Sequence, residues 1–141
     1  MLNEEVRRVM TTDPITVSPN DTIKAISDLM VTKRFQQLPV TEDGKLVGMV
    51  TAYDLWRALR DSKSEDRPVK DIMTTNVVRI TPKDKLGTAA ELFMDRRFKT
   101  LPVVNLENKL KGVITAFDVI RHTLKEEYPI PILYDEIINR K

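Results

Sequence analysis

The sequence predicts a mixed α/β (α+β) protein built from two copies of one β-α-β-β-α unit. Three observations carry this prediction. Stretches of sequence recur at a fixed distance, short β-branched runs alternate with segments of helical periodicity, and a charged stretch separates the two copies. Repeats that cannot bury their apolar faces alone pack against each other. We therefore expect the two copies to pack sheet to sheet about a pseudo-twofold axis.

The internal repeat is visible in three pairs of segments. VMTTDPITVSP from Val9 matches IMTTNVVRITP from Ile72, and RFQQLPV from Arg34 matches RFKTLPV from Arg97, both 63 residues later. GMVTAYD from Gly48 matches GVITAFD 64 residues later. The one extra residue falls in the polar stretch NLENK, opposite TEDGK of the first copy. Insertions are tolerated in surface turns, so its position supports the alignment.

Each copy shows the same succession of patterns. A β-branched run comes first, and a Ser-Pro or Thr-Pro pair then marks the start of a helix with acidic residues in its first turn. Two apolar runs predict a β-hairpin, with Asp43-Gly44 as its turn in the first copy. A second helix ends the unit. The predicted first strands are 15–17 and 77–80, and the second helices begin at Ala52 and Ala116.

These patterns divide the chain into four parts. Residues 1–61 form the first repeat with a helical lead-in, 62–71 a linker, and 72–125 the second repeat. Residues 126–141 match neither repeat, and their apolar side chains at 133, 137 and 138 predict a short amphipathic tail. We expect this tail to cover an apolar patch on its own chain or on a dimer partner. Docking to a target protein is the alternative.

The composition excludes several functions. The net charge is +2, from 23 basic and 21 acidic side chains, so nucleic-acid binding is not expected. The chain has no cysteine and one histidine, His122, which leaves no thiol nucleophile and little material for a His-based metal site or a catalytic triad. No apolar run approaches the roughly 18 residues of a membrane span. We expect a cytoplasmic protein without a metal or enzymatic activity.

Thr51 and Asp54, and Thr115 and Asp118, form a Thr-x-x-Asp pattern before each second helix. One interpretation is a capping box, in which the threonine accepts a hydrogen bond from the first helical turn. The capping box prefers Glu or Gln over Asp at the last position. The other interpretation is a binding site, because the free N–H groups of a helix N-terminus attract phosphate. The two interpretations are compatible.

The ordered series MTxxxxxV, helix, LPV and Gly-hydrophobic-hydrophobic-Thr-x-x-Asp resembles the cystathionine β-synthase (CBS) domain. Two such units in tandem resemble the CBS pair, or Bateman module, and the resemblance covers about residues 9 to 125. It implies a stand-alone regulatory module that binds AMP, ADP, ATP or S-adenosylmethionine in clefts between the repeats. It also implies a sensor of cellular energy state that acts on an unknown target protein. Exposed sheet edges and helix faces that the fold leaves uncovered favour a twofold homodimer. The alternative is a structural dimerisation or docking module without a nucleotide.

The resemblance also implies the residues of two sites. Asp54 and Asp118 would hold the ribose of the ligand, assisted by Thr51 and Thr115, and each base would rest on the opposite repeat. Asp118 would face a base pocket of Asp13, Ile15, Phe35 and Gln37, and Asp54 would face Asn76, Val78, Phe98 and Thr100. For the apolar members, and for the two phenylalanines above all, core packing is the competing interpretation.

The phosphate positions depart from the family pattern. Many relatives place His or Arg two and three residues before the proline of LPV. Here Gln36 and Gln37 occupy these positions in one copy, and Lys99 and Thr100 in the other. Lys99 offers a point charge, whereas glutamine offers only neutral hydrogen bonds. We therefore expect unequal sites, with phosphate favouring the cleft that Lys99 reaches. The pairs Lys33-Arg34 and Arg96-Arg97 are further candidates.

Overall fold

The computed structural model describes residues 2–61, 63–95 and 98–127. Two short 3-10 helices lie at Val6–Arg8 and Val69–Asp71. The strands are β1 (Thr11–Thr12), β2 (Gln37–Glu42), β3 (Lys45–Thr51), β4 (Thr100–Val104) and β5 (Leu110–Thr115). The helices are α1 (Ile23–Lys33), α2 (Ala52–Leu59), α3 (Leu86–Phe93) and α4 (Ala116–Glu127). The predicted mixed fold of two repeats is confirmed.

The two hairpins agree with the sequence prediction. β2 pairs with β3 and β4 with β5, both antiparallel, and both pairs shift register at the same place, after Val40 and after Val103. Asp43 and Gly44 form the first turn with φ of 53° and 79°. Positive φ at both central residues is what a tight two-residue hairpin turn requires. The inserted residue of the second copy is accommodated in the longer turn between β4 and β5.

The predicted first strand of each copy is much shorter than expected. Val17 forms a single parallel bridge with Val40, and Ile80 forms the equivalent bridge with Val103. Val17 N–H donates to the carbonyl of Pro39 at 3.1 Å, and Val17 accepts from Thr41 N–H at 2.9 Å. The next bonds of such a ladder would need N–H groups at Pro19 and Pro39 in the first copy, and at Pro82 and Pro102 in the second. Proline has none, so pairing stops within one residue.

The first helices start later than predicted. Asp21 and Asp84 do not lie in a first helical turn. Their Oδ2 atoms accept from the N–H groups of Ser18 and Thr81 at 2.8 and 2.7 Å, which closes a turn before the helix. α1 then begins after Thr22, whose hydroxyl accepts from Ala25 N–H at 3.1 Å. The Ser-Pro and Thr-Pro signals therefore mark a turn.

The segment before each repeat packs on the other repeat. β1 pairs with β5, so that the first sheet has the order β1-β5-β4, with Thr11 opposite Val113. In the same way, Thr74 bridges to Met49 of β3, and their N–H and C=O groups exchange two hydrogen bonds of 2.9 Å. The segment that precedes each repeat therefore pairs with the hairpin of the other repeat.

Two apolar cores follow the same crossed arrangement. Val69, which lies within the predicted linker, is fully buried in the core of the first repeat. Val6, which lies in the lead-in of the first repeat, is fully buried in the core of the second. The first core contains Val17, Ile23, Ile26, Met30, Leu38, Val40, Val50, Leu55 and Val69. The second contains Val6, Ile80, Leu86, Ala89, Leu101, Val103, Ile114 and Val119. The domain boundaries drawn from the sequence stay a prediction.

The hairpin ends meet across the pseudo-twofold axis. Leu46 N–H donates to the carbonyl of Asn108 at 3.1 Å, and Leu110 N–H donates to the carbonyl of Gly44 at 2.9 Å. The Asn108 amide donates to the carbonyl of Leu46 at 2.8 Å. Backbone groups of each turn are thus satisfied by the opposite hairpin.

The last helix extends two residues past the boundary predicted for the tail, to Glu127. The apolar positions of the predicted amphipathic tail lie outside the described residues, as do Arg96 and Arg97. Among the helices that are described, none combines the length and the apolar character needed to cross a bilayer.

The crossing of the lead-in segment provides a test of the fold. A Cβ atom added at Gly112 would lie 2.6 Å from the carbonyl oxygen of Thr11 and 2.9 Å from Met10 Sδ. We expect Gly112→Ala to lower the free energy of unfolding by about 1–3 kcal/mol, because the backbone of β1 must move. Urea denaturation measures this change.

Gly87→Ala is the matched control. The added Cβ would meet Leu2 at 3.5 Å, an ordinary contact, within helix α3. Alanine is favoured over glycine in a helix by about 0.5–1 kcal/mol, so this variant should be neutral or slightly more stable. Equal stability of the Gly112 and Gly87 variants would contradict the crossed packing.

Candidate functional site: the cleft between the repeats

Both Thr-x-x-Asp patterns form complete capping boxes. Thr51 Oγ1 accepts from Asp54 N–H, and Asp54 Oδ2 accepts from Thr51 N–H, both at 3.0 Å. Thr115 and Asp118 make the same pair of bonds at 3.1 and 2.9 Å. Aspartate therefore performs the task that Glu or Gln usually performs. The capping interpretation of the pattern is correct for both copies.

The two aspartates have different surroundings. Asp118 is 6% exposed, and its Oδ1 accepts from the guanidinium of Arg121 at 3.0 Å. Asp54 is half-buried. Arg57 lies over the ring of Tyr53 at 5.7 Å and the equivalent Arg121 over the ring of Phe117 at 5.3 Å, but of these two arginines Arg121 is the one that also donates to its aspartate. Both oxygens of the Asp118 carboxylate are thus engaged within its own helix. The two sites are unequal at their acidic residue.

A cleft of about 370 Å³ opens between the repeats beside the start of α2. Thr51 lies on its first-repeat side, and four residues predicted for the base pocket opposite Asp54 lie on the other side: Asn76, Val78, Phe98 and Thr100. Val78 is 41% exposed, so its side chain is a surface of the cleft rather than part of the core. The structure therefore brings these five predicted residues together.

Asp54 is turned away from this cleft. It lines a second depression of about 270 Å³ with Arg57, Ala58, Asp71 and Ile72. The reason is the capping box, because the bond to Thr51 N–H draws the carboxylate back over its own helix start. The ribose position predicted for Asp54 requires a different rotamer of this side chain.

Gln37 lines the Thr51 cleft. Its place in the base pocket opposite Asp118 stays a prediction. Its Oε1 accepts from Thr100 N–H at 2.8 Å, across the pseudo-twofold axis. Because Gln37 pairs with Thr51 in the first hairpin and Thr100 pairs with Thr115 in the second, this bond joins the two predicted sites.

The residues predicted for the second cleft are placed by the pseudosymmetry. The pairing of Thr11 with Val113 is equivalent to the pairing of Thr74 with Met49. Asp13 and Ile15 therefore occupy the positions after β1 that Asn76 and Val78 occupy after Thr74. Asp13 has a φ of 50°, and Ile15 and Phe35 are 40% and 37% exposed. Core packing, the competing interpretation for these two apolar side chains, does not describe them.

The candidate phosphate residues lie at the surface. Lys99 is exposed, and its neighbours Phe98 and Thr100 both line the Thr51 cleft. Gln36 is exposed, and its backbone carbonyl accepts from Ala52 N–H at 2.8 Å, at the first residue of α2.

Four residues that line the Thr51 cleft were not predicted from the sequence: Met49, Thr74, Val77 and Pro102. Met49 and Thr74 form the crossing bridge between the repeats. This bridge places both residues beside Thr51, and no local pattern in the sequence marks it.

The chain matches the CBS domain family twice, over residues 6–61 and 69–125. It belongs to the CBS-domain family. The CBS domain-containing protein YhcV of Bacillus subtilis is 32% identical to it over 123 residues, which cover 86% of this chain and 87% of YhcV. The uncharacterized protein MJ0188 of Methanocaldococcus jannaschii is 31% identical over 91% of this chain, but the chain spans only 47% of that protein.

This CBS pair also resembles part of an enzyme and several solved structures. Inosine-5'-monophosphate dehydrogenase of Methanocaldococcus jannaschii is 37% identical over 86% of this chain and 23% of the enzyme. CBSX2 in complex with AMP has a TM-score of 0.80 at 31% identity, covering 87% and 98% of the two chains. The CBS pair of MJ0100, solved with 5'-methylthioadenosine and S-adenosyl-L-methionine, has a TM-score of 0.74 at 26% identity, covering 85% and 99%.

The capping box of the second repeat makes a prediction about stability. Thr115→Ala removes the acceptor for Asp118 N–H, and loss of an N-cap side chain costs about 0.5–2 kcal/mol. We expect the free energy of unfolding in urea to fall by this amount. Thr115→Ser keeps the hydroxyl and should stay near the wild type. If serine and alanine lower it equally, the cap bond contributes nothing to stability.

Proposed function

We propose that this CBS pair binds an adenosine-containing ligand between its repeats and thereby modulates a partner protein. The observation that carries the proposal is the Thr51 cleft, because both repeats line it and because residues implied by the family resemblance meet there. Its volume of about 370 Å³ falls within the range of about 300–1,000 Å³ that is common for small-molecule sites.

The cleft offers complementary groups for each part of a nucleoside. Val78 and Phe98 supply apolar surface for a base, and Asn76 and Thr100 supply polar groups beside it. Thr51 lies at the N-terminus of α2, where the positive end of the helix dipole favours a phosphate. The ligand would therefore place its base on the second repeat and its polar end on the first.

Asp54 is the residue that we assign to the ribose. Turning its carboxylate into the Thr51 cleft gives up the bond from Thr51 N–H to Oδ2, and the two oxygens can then accept from ribose hydroxyls. Asp118 is the weaker candidate, because Arg121 already donates to its Oδ1. Together with the exposed Lys99 beside the Thr51 cleft, this difference favours AMP, ADP or ATP at the Asp54 site.

The relatives support the same class of ligand. CBSX2 was solved with AMP, and the MJ0100 pair with 5'-methylthioadenosine and S-adenosyl-L-methionine. A role in regulation, without catalysis by the pair itself, agrees with the match to about a quarter of a dehydrogenase. A structural docking module without a ligand is the alternative, and it predicts no response to any adenosine compound.

Ligand binding is tested by titrating the protein with AMP, ADP, ATP and S-adenosylmethionine in a calorimeter and in thermal melts. A ligand at 100 times its Kd stabilises the native state by about 2.7 kcal/mol, which raises the Tm. We expect Asp54→Ala to remove the stronger binding event and Asp118→Ala the weaker one. The matched control is Asp28→Ala, an exposed aspartate on α1. Absence of heat and of a Tm shift with all four compounds would favour the docking module.

The exposed apolar faces of α2 and α4 support a homodimer. Five large apolar side chains are between 50% and 65% exposed there: Tyr53, Trp56, Phe117, Ile120 and Leu124. Tyr53 and Phe117 occupy equivalent positions in the two repeats, as do Trp56 and Ile120. A face with this internal symmetry suits a second copy of the chain, since a twofold dimer pairs the same surface on both subunits.

The dimer is tested by placing a charge in this face. Trp56→Glu and Ile120→Glu should each shift the protein towards monomer in sedimentation velocity, because a buried unpaired carboxylate opposes association. Val31→Glu, at a side chain that is 77% exposed on α1, is the control and should leave the distribution unchanged. A wild-type protein that is monomeric at every concentration tested would contradict the dimer.

A further inference from the structure

We propose that Glu4, His122 and Glu126 bind a divalent transition-metal ion, with Zn²⁺ as the ion that this ligand set fits best. One ligand atom from each of the three side chains lies within 4.8 Å of the other two. The proposal does not depend on nucleotide binding. It runs against the expectation from the sequence, where a single histidine argued against a metal site.

Two of the three ligands are fixed by one helix. His122 and Glu126 are one turn apart on α4, and His122 Nε2 lies 3.3 Å from Glu126 Oε1. Side chains four residues apart lie on the same helix face, so this spacing holds both donors towards one point.

The third ligand comes from a segment whose backbone is held in place. Leu86 N–H donates to the carbonyl of Glu4 at 2.9 Å, and Val6 N–H donates to the carbonyl of Asp84 at 2.7 Å. Val6 is buried in the same core as Val119 of α4. Glu4 is therefore anchored next to the helix that carries the other two ligands.

The imidazole provides a separate indication of a ligand. Within the described part of the chain, His122 Nε2 is buried and has no hydrogen-bond partner, although a carboxylate oxygen lies 3.3 Å away. A buried polar atom without a partner costs free energy. A cation bound by the nitrogen lone pair would give His122 Nε2 a partner.

The two carboxylates keep the capacity to bind a cation. Arg8 pairs with Oε1 of Glu4 at 3.2 Å, and Glu126 has an interaction besides its contact with His122. Each carboxylate has two oxygens, so an interaction at one oxygen leaves the other oxygen able to bind a metal ion.

The donor atoms select the class of metal. Imidazole favours zinc, copper and nickel, whereas Mg²⁺ and Ca²⁺ prefer sites made of oxygen alone. Three protein ligands leave a fourth tetrahedral position for water, as in the three-ligand zinc sites, and this set differs from those sites in carrying two carboxylates and one nitrogen. Ligands about 2.0 Å from a tetrahedral zinc lie about 3.3 Å apart, so the glutamates must close slightly. The side chains of Glu4 and Glu126 are 33% and 43% exposed, which allows such an adjustment.

The experiment uses the untagged chain, because it contains one histidine and no cysteine. Zn²⁺ is titrated by calorimetry, and Co²⁺ is titrated by visible absorption, which reports its ligand field directly. We expect one ion per chain, a higher Tm with Zn²⁺, and no effect of Mg²⁺. His122→Gln and Glu4→Gln should each weaken Zn²⁺ binding by about tenfold or more, since even second-shell partners contribute this much.

Glu5→Gln is the matched control, because Glu5 is adjacent to Glu4 but pairs with Arg7 at 2.8 Å. It should bind Zn²⁺ like the wild type. Thermal melts without metal check that each variant is folded, and the Co²⁺ spectrum of the wild type stands independently of any variant. The proposal is overturned if the wild type binds no Zn²⁺ at a one-to-one ratio. It is equally overturned if either His122→Gln or Glu4→Gln, when folded, binds as well as the wild type.

Discussion

The exchange of lead-in segments between the two repeats is the constraint on which the remaining structure depends. Thr11 pairs with Val113 of the second hairpin, and Thr74 pairs with Met49 of the first. Each crossing brings a backbone against a glycine, so that added Cβ atoms at Gly48 and Gly112 would lie within 3 Å of their neighbours. The apolar cores follow, with Val6 and Val69 each completing the repeat to which its segment crosses. The cleft beside Thr51 exists because this arrangement places the second repeat opposite the start of α2.

The two repeats share one backbone arrangement, but the polar side chains at equivalent positions of their two sites make different contacts. Both capping boxes are complete, but only Asp118 is also held by its helix arginine. Gln37 reaches across the axis to Thr100 N–H, and the residue equivalent to Gln37 is Thr100 itself, whose side chain is too short to return the contact. The two sites therefore differ in charge, in rotamer freedom and in polar neighbours. This difference is the reason for expecting two binding events of unequal strength.

Much of the fold could be predicted from the sequence, because repetition, hairpin turns and helical periodicity are local signals. Asp43-Gly44 and the two LPV strands are where the patterns place them. The crossing of Val6 and Val69 could not be predicted, since packing between distant segments leaves no periodicity in either. The bond from Thr100 N–H to Gln37 could not be predicted for the same reason, because a side chain at a twofold axis can turn to either side. The orientation of Asp54 depends on one bond to Thr51 N–H, which the pattern allowed but did not require.

The capping box at Asp54 has a consequence for how tightly the proposed site can hold its ligand. The carboxylate accepts from a backbone N–H of its own chain at 3.0 Å, so it does not depend on a ligand for a hydrogen-bond partner. A ligand that draws Asp54 into the cleft must first replace that bond, and only the difference between the two contacts contributes to affinity. A self-satisfied acceptor of this kind suits reversible occupancy that follows the concentration of a metabolite, rather than permanent retention of a bound group.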